Sequence, residues 1–143
     1  MSDKERRIGD ILADHAGREG PLLPILHAVQ AEFGCVDGES EALVAHGLNL
    51  SRADVHGVVS FYHDFHAAPD ARPEVQICRA EACQARGVEA LIPGAEKTAG
   101  ERVKLHTIYC LGLCSAGPAA RVGDRLHARL DGAKLAQVIE AAR

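Results

Sequence analysis

Aromatic side chains are almost missing from this chain: there is no Trp, and only two Tyr and three Phe occur in 143 residues. Single-stranded nucleic acid binds by stacking its bases on flat side chains, so that class of partner has little platform here. A basic stripe is missing too. Residues 1–72 hold six Lys and Arg against twelve Asp and Glu, and residues 73–143 hold ten against eight, for a net charge of −4. An acidic half and a nearly balanced half do not attract a phosphate backbone, which excludes nucleic acid as a partner. No Gly-x-Gly-x-x-Gly follows a strand-like run and no Gly-x4-Gly-Lys-Ser/Thr loop occurs, so the chain has no place for a nicotinamide, flavin or nucleotide of its own. No apolar run approaches the roughly 20 residues that span a bilayer. The opening MSDKERRIGD is charged where a secretory signal has an apolar core. These absences predict a cytoplasmic protein with no membrane insertion, large enough for one compact domain or for a small domain with a helical appendage.

Against this background, five cysteines stand out. Cytosolic thiols stay reduced, so cysteines there serve as metal ligands more often than as disulfides. Four form two close pairs, Cys78-Arg-Ala-Glu-Ala-Cys83 and Cys110-Leu-Gly-Leu-Cys114, separated by 26 residues. Four thiolates in two short loops suit a [2Fe–2S] cluster, because each ferric ion completes a tetrahedron with two sulfides and two protein sulfurs. Structural zinc, which takes pairs two to four residues apart, is allowed by the spacing but off its usual pattern. A dithiol oxidoreductase needs Cys-x2-Cys, and neither pair supplies it. Cys35, in the turn Phe33-Gly34-Cys35-Val36, is left over and reads as a small core residue.

The periodicity changes along the chain. Ile8, Ile11 and Leu12 predict a first helix that stops at Gly17 and Gly20; Leu22, Leu23, Leu26, Val29 and Phe33 predict a second, opened by Pro21 and closed by Gly34. A third is expected over Glu41–His46 with Ala42, Leu43 and Ala45 inward. A fourth follows the Ser51 cap, with Val55, Val58, Val59 and Tyr62 on its apolar side. His66 to Pro73 is a linker. Beyond it, Glu74–Cys78 reads as a strand, Ala82–Leu91 as a helix and Val103–Tyr109 as a second strand with Val103, Leu105, Thr107 and Tyr109 on one face. A hairpin turns at Gly123-Asp124, and a last helix, capped by Asp131, presents Leu135, Val138, Ile139 and Ala142. The class is α/β, with both cysteine pairs in loops at strand ends.

Six of the eight histidines lie in the first half, and His56 and His63 share a helix face. No third ligand converges on them in sequence, so solvated or partner-facing side chains are the favoured account. A solvated surface position is also favoured for Arg79 and Arg86, which are otherwise candidates for positive charge near the sulfurs. Gly112, Ser115, Ala116 and Gly117 are small enough to let backbone N–H groups approach sulfur, and Pro118 fixes the loop before the next strand. Val58, Val59, Phe61 and Tyr62 form more apolar surface than four short helices can cover.

The segments Leu23-Pro-Ile-Leu-His-Ala-Val-Gln30, Leu50-Ser-Arg-Ala-Asp-Val-His-Gly-Val-Val-Ser-Phe-Tyr-His-Asp-Phe65, the first cysteine loop and Tyr109-Cys-Leu-Gly-Leu-Cys-Ser-Ala-Gly-Pro-Ala119 together carry a family resemblance. Over nearly its whole length the chain resembles the small thioredoxin-like [2Fe–2S] subunit of NADH:quinone oxidoreductase, NAD-reducing hydrogenases and NAD-dependent formate dehydrogenases. The resemblance implies a thioredoxin-like [2Fe–2S] ferredoxin domain over residues 74–143, preceded by a small N-terminal helical bundle over 1–70, whose acidic character and patch of Val58, Val59, Phe61 and Tyr62 mark it as a docking domain. It implies Cys78, Cys83, Cys110 and Cys114 as the cluster ligands. Cys78-Arg-Ala-Glu-Ala-Cys83-Gln-Ala85 is most similar to the gamma subunit of the cytoplasmic, molybdenum-dependent, NAD-linked formate dehydrogenase, and the short interval between the pairs and the end of the chain directly after the last helix favour a compact soluble-enzyme version. That resemblance implies an electron-transfer subunit, not catalytic alone, with its cluster near the flavin. Its partners would be a flavin- and NAD-binding subunit and, through it, a molybdenum-containing catalytic subunit. The equivalent subunit of the other two complexes is the alternative reading. A zinc-stabilised interaction module and a freely diffusing ferredoxin are readings of other classes; the helical first half argues against the second.

Overall fold

A computed structural model describes residues 1–143, which form two compact units, Met1–Asp70 and Ala71–Arg143. The first contains four helices: α1 (Asp3–Asp14), α2 (Leu22–Phe33), α3 (Gly38–Leu48) and α4 (Arg52–Phe61). Their starts follow from local chemistry. Ser2 and Ser51 each accept from a backbone N–H three residues on while Glu5 and Asp54 reach back to the cap N–H, satisfying donors that a helix start leaves unpaired. α2 tolerates Pro24 because its first turn needs no N–H there, and it ends on Gly34 at a φ of 75°.

The third helix is longer than the sequence predicts: it starts at Gly38, because the Asp37 carboxylate caps it through the Ser40 N–H. Its buried side is Ser40, Glu41, Val44 and Ala45. Glu41 is kept there by His56, whose Nδ1 lies 3.1 Å from its carboxylate. The core of the unit is Ile8, Ile25, Leu26, Val29, Val36, Val44, Val55, Val59 and Phe65. Val59, read as part of an exposed patch, belongs to this core, and Tyr62 follows the helix as its cap in extended backbone. Gln30 ties the end of the unit to α2 by donating to the Asp64 carbonyl and accepting from the His66 N–H at 2.7 Å.

The second unit is a four-stranded sheet, β1 (Glu74–Cys78), β2 (Lys104–Ile108), β3 (Ala120–Val122) and β4 (Arg125–His127), in the order β2-β1-β3-β4. β1 and β2 run parallel, with Glu74 opposite Lys104 and Cys78 opposite Ile108. β3 is antiparallel to β1, and β4 returns through Gly123-Asp124, where Gly123 takes the positive φ that a two-residue hairpin requires. Helices α5 (Glu81–Ala85), α6 (Val88–Ala99) and α7 (Gly132–Ala141) complete it. Val75 and Ile77 point into a core shared with Val88, Ala95, Ala99, Leu135 and Ile139. The sheet's polar positions pair with each other, Gln76 with Arg121 at 2.8 Å and Glu74 with Lys104 at 3.4 Å. Arg102 donates to the carbonyls of Ile139 and Ala142 at the end of α7, where a cation and its N–H groups satisfy orphan acceptors.

Two sequence expectations change here. The single helix over Ala82–Leu91 is two helices broken at Gly87, whose φ of 91° leaves the helical region, and the second continues through Pro93 to Ala99. Apolar burial of Val88, Ala95 and Ala99 outweighs the one hydrogen bond that Pro93 forfeits. Tyr109 leaves the pleat after Ile108 and is exposed. No helix is long and apolar enough to cross a membrane.

The Lys4–Asp37 contact, 2.7 Å, gives the first unit a pH dependence. Lys4 and the Ser40 N–H hold the Asp37 carboxyl down at about 2, below its ordinary 3.8. A carboxylate depressed by folding stabilises the fold above its unfolded pKa and loses that contribution as pH falls toward the folded value. Asp37 is substantially exposed, so the solvent-screened contribution is about 0.5–1 kcal/mol. Chemical denaturation between pH 5 and 2 should therefore show a loss of stability in the wild type that Asp37→Asn, which still caps α3, reduces; identical pH profiles would contradict this.

Candidate metal centre

The parallel register explains how distant cysteines meet. Strands paired in parallel deliver their following loops to one end of the sheet, the usual place for a ligand in α/β proteins. Cys78 ends β1 opposite Ile108, and two residues later the Cys110 N–H points at the Cys78 sulfur, 3.3 Å away. The Arg79 N–H donates to the Ile108 carbonyl at 2.9 Å and the Cys78 N–H to the Ala119 carbonyl at 3.0 Å, so Cys78 is anchored to both neighbours of β1. Cys83 sits on α5, and its thiol hydrogen-bonds with that of Cys78. Cys114 opens the short 3₁₀ turn Cys114–Ala116, with its Sγ 3.6 Å from that of Cys110.

The structure thus brings all four predicted cysteines together as two pairs, Cys78 with Cys83, both buried, and Cys110 with Cys114, both exposed. Cys35 belongs to the first unit and is buried there. No group of three or more His, Cys, Asp or Glu side chains is arranged to hold a single metal ion, and this includes the histidines around α4.

Electrostatics distinguish the four thiols. Burial opposes ionisation of Cys78, but N–H groups of Ala80, Cys110 and Leu111 outweigh it and hold the thiol below its ordinary pKa. Burial pushes Cys83 up, and the neighbouring Cys78 adds to that. Cys114 is raised by Cys110 beside it.

The donors aimed at sulfur differ from those expected. Gly112 does donate: its N–H points at the Cys110 sulfur at 3.3 Å, and its φ of 75° is one that glycine adopts without strain. Ser115 and Ala116 instead form the 3₁₀ turn, where the Ala116 N–H donates to Leu113. Ala80, Leu111 and Ala119 supply donors the sequence did not single out; only the register of the two loops brings them to the thiols. Cys110 itself takes a φ of 94°, unusual for a residue with a side chain, and such backbone strain concentrates at functional positions. Gly117 is required for space: a Cβ there would lie 2.9 Å from the Cys83 sulfur. Arg79 is paired with Glu89 by a two-pronged bond, 2.8 and 2.6 Å.

A helix-backed, partly parallel sheet with two dicysteine loops at one end defines a small α/β protein with a thiolate site. The chain belongs to the thioredoxin-like [2Fe–2S] ferredoxin family, which matches residues 8–143. It is 34% identical over 140 residues to a subunit of the NADH-quinone oxidoreductase of Rhizobium meliloti (strain 1021), covering 92% of this chain and 83% of the relative. It is 26% identical over 131 residues to a subunit of the NADP-reducing hydrogenase of Solidesulfovibrio fructosivorans, covering 85% and 77%. Among solved structures, an NAD+-reducing [NiFe]-hydrogenase in the H2-reduced state superposes with a TM-score of 0.69 at 26% identity, covering 84% of this chain and 22% of that one. The chain therefore spans less than a quarter of the hydrogenase chain it matches.

The family's [2Fe–2S] cofactor fits the residues present. Two thiol pairs offer two ligands to each of two irons, and backbone donors face the sulfurs. Because Gly117 leaves room for the Cys83 sulfur, Gly117→Ala should displace it and weaken cluster retention about 10-fold against a chelator, the scale of outer-shell effects. Gly94→Ala, whose Cβ would meet nothing within 4 Å, should leave the visible absorption of the reconstituted protein unchanged. Equal retention in both would contradict the steric account.

Proposed function

We propose that Cys78, Cys83, Cys110 and Cys114 ligate one [2Fe–2S] cluster, and that the chain is the electron-transfer (gamma) subunit of a cytoplasmic NAD-dependent formate dehydrogenase. The observation that carries the ligand set is the meeting of two thiol pairs under converging backbone donors. When bound, the cluster supplies a one-electron couple whose reduced form carries an extra negative charge. The chain's own groups accommodate that charge. The N–H groups of Ala80, Cys110 and Leu111 face Cys78, that of Gly112 faces Cys110, and burial of Cys78 and Cys83 keeps water from one side. Cys110 and Cys114, beside the exposed Tyr109, leave the other side open to a redox partner. With no nucleotide or flavin motif of its own, the chain passes electrons on behalf of other subunits: one that binds flavin and NAD, and through it a molybdenum-containing one.

Residues 1–70 are the docking domain in this reading. Phe61 is 73% exposed and Tyr62 41%, their rings edge to face at 5.0 Å. Nearby, Leu22, Leu23, Leu48, Leu50, Val58 and Tyr62 line a groove of about 460 Å³. Apolar surface of this kind marks an interaction site. The formate dehydrogenase assignment rests on the loop Cys78-Arg-Ala-Glu-Ala-Cys83-Gln-Ala85. A second reading, the equivalent subunit of an NADH-quinone oxidoreductase, is favoured by the 34% identity to the Rhizobium protein.

Replacing any of the four cysteines by Ser should bleach the protein, whereas Cys35→Ser should keep full iron; the reverse pattern in iron analysis would overturn the ligand set. Tagged full-length chain should co-purify a complex that reduces NAD with formate, and Phe61→Glu should lower recovery of that complex while leaving the cluster spectrum intact. Recovery of NADH:quinone activity without formate activity would select the second reading, and undiminished recovery with Phe61→Glu would remove the docking role.

A further inference from the structure

Arg79 and Arg86 flank the first cysteine loop, and the structure separates them. Arg79 is neutralised by Glu89 in a two-pronged ion pair. Arg86 closes α5 by donating its backbone N–H to Ala82, and no hydrogen bond or ion pair holds its guanidinium. Its stem lies in the notch that Gly117 leaves empty. The position a Gly117 side chain would take is 2.9 Å from the Cys83 sulfur and 3.3 Å from Arg86 Cδ. Cys83 is buried, and as a ligand its sulfur belongs to the site that receives the added charge on reduction. Arg86, a cation without a carboxylate partner, packs its stem against the same glycine as this sulfur.

Resting on the assignment of Cys83 as a ligand, we propose that Arg86 is a positioning residue for charge: it raises the cluster's reduction potential and thereby sets how readily the chain accepts an electron. Reduction adds one electron and one negative charge to the site, and a fixed cation nearby stabilises the reduced form more than the oxidised one. Arg86 is exposed, so solvent and salt screen its effect. Arg79, already paired, contributes less.

The test is an EPR-monitored redox titration of the full-length reconstituted chain at low ionic strength, comparing wild type with Arg86→Gln, Arg86→Met, Arg86→Lys and Arg79→Gln. Both neutral Arg86 variants should lower the midpoint by about a threefold to tenfold change in the reduced-to-oxidised ratio, tenfold being 59 mV for one electron. Arg86→Lys should restore most of it, Arg79→Gln should move it less, and the gap should shrink in high salt. An unchanged midpoint in Arg86→Gln and Arg86→Met with intact cluster spectra overturns the proposal. Loss of the cluster from all three Arg86 variants, Lys included, makes Arg86 a packing residue, which overturns it equally. Failure of the ligand assignment is separate: it would appear as a wild-type chain without [2Fe–2S] spectrum, or as an unaltered spectrum in Cys83→Ser.

Discussion

The parallel pairing of β1 with β2 is the constraint on which the rest of the second unit depends. It sets Cys78 opposite Ile108, so that a chain turning immediately after β2 must place Cys110 against the end of β1. A shift by one residue would reverse the face of every side chain on β2 and take Cys110 away from Cys78. The register is secured from both sides, by Val75 and Ile77 in the core and by Glu74 with Lys104 on the polar face. α6 forms the crossover that parallel strands require, and Arg102 fastens its end to α7. Fold and site are therefore one solution: the same pairing that buries the core assembles the thiols.

Within the site, backbone N–H groups are the donors that meet the sulfurs directly and stabilise negative charge on them. N–H donors reach Cys78 and Cys110 because the loops are built of small residues and because Cys110 and Gly112 accept positive φ. Such donors are fixed by the fold and need no reorganisation when charge appears, which suits a centre that changes charge repeatedly. The pairs also differ in exposure, so the site has a dry side at Cys78 and Cys83 and an open side at Cys110 and Cys114.

Much of this was legible in the sequence, for identifiable reasons. Strong local signals announced α1, α2, α4, α7 and the Gly123-Asp124 hairpin: caps at Ser51 and Asp131, stops at Gly34, and apolar residues at helical spacing. The paired cysteines were legible because thiolate chemistry leaves few uses for two close pairs. Other features depend on contacts between distant segments. Val59 could not be separated from Val58 by hydropathy, yet the packing of α4 sends one into the core and the other to a groove. The break at Gly87 follows glycine's low helix propensity and positive φ, whereas the passage of α6 through Pro93 contradicts local propensity, since burial decides it. The Gly117 notch and the donors at Ala80 and Ala119 exist only once the register is set. The two arginines near Cys83 are alike in sequence and differ only through Glu89.

The central claim is that two thiol pairs hold a binuclear iron–sulfur group rather than one ion. Native mass spectrometry of the anaerobically purified full-length chain, with iron and acid-labile sulfide assayed on the same sample, tests it most directly. Two irons and two sulfides are expected on each chain. A single zinc ion without sulfide, bound by the same cysteines, would contradict the claim.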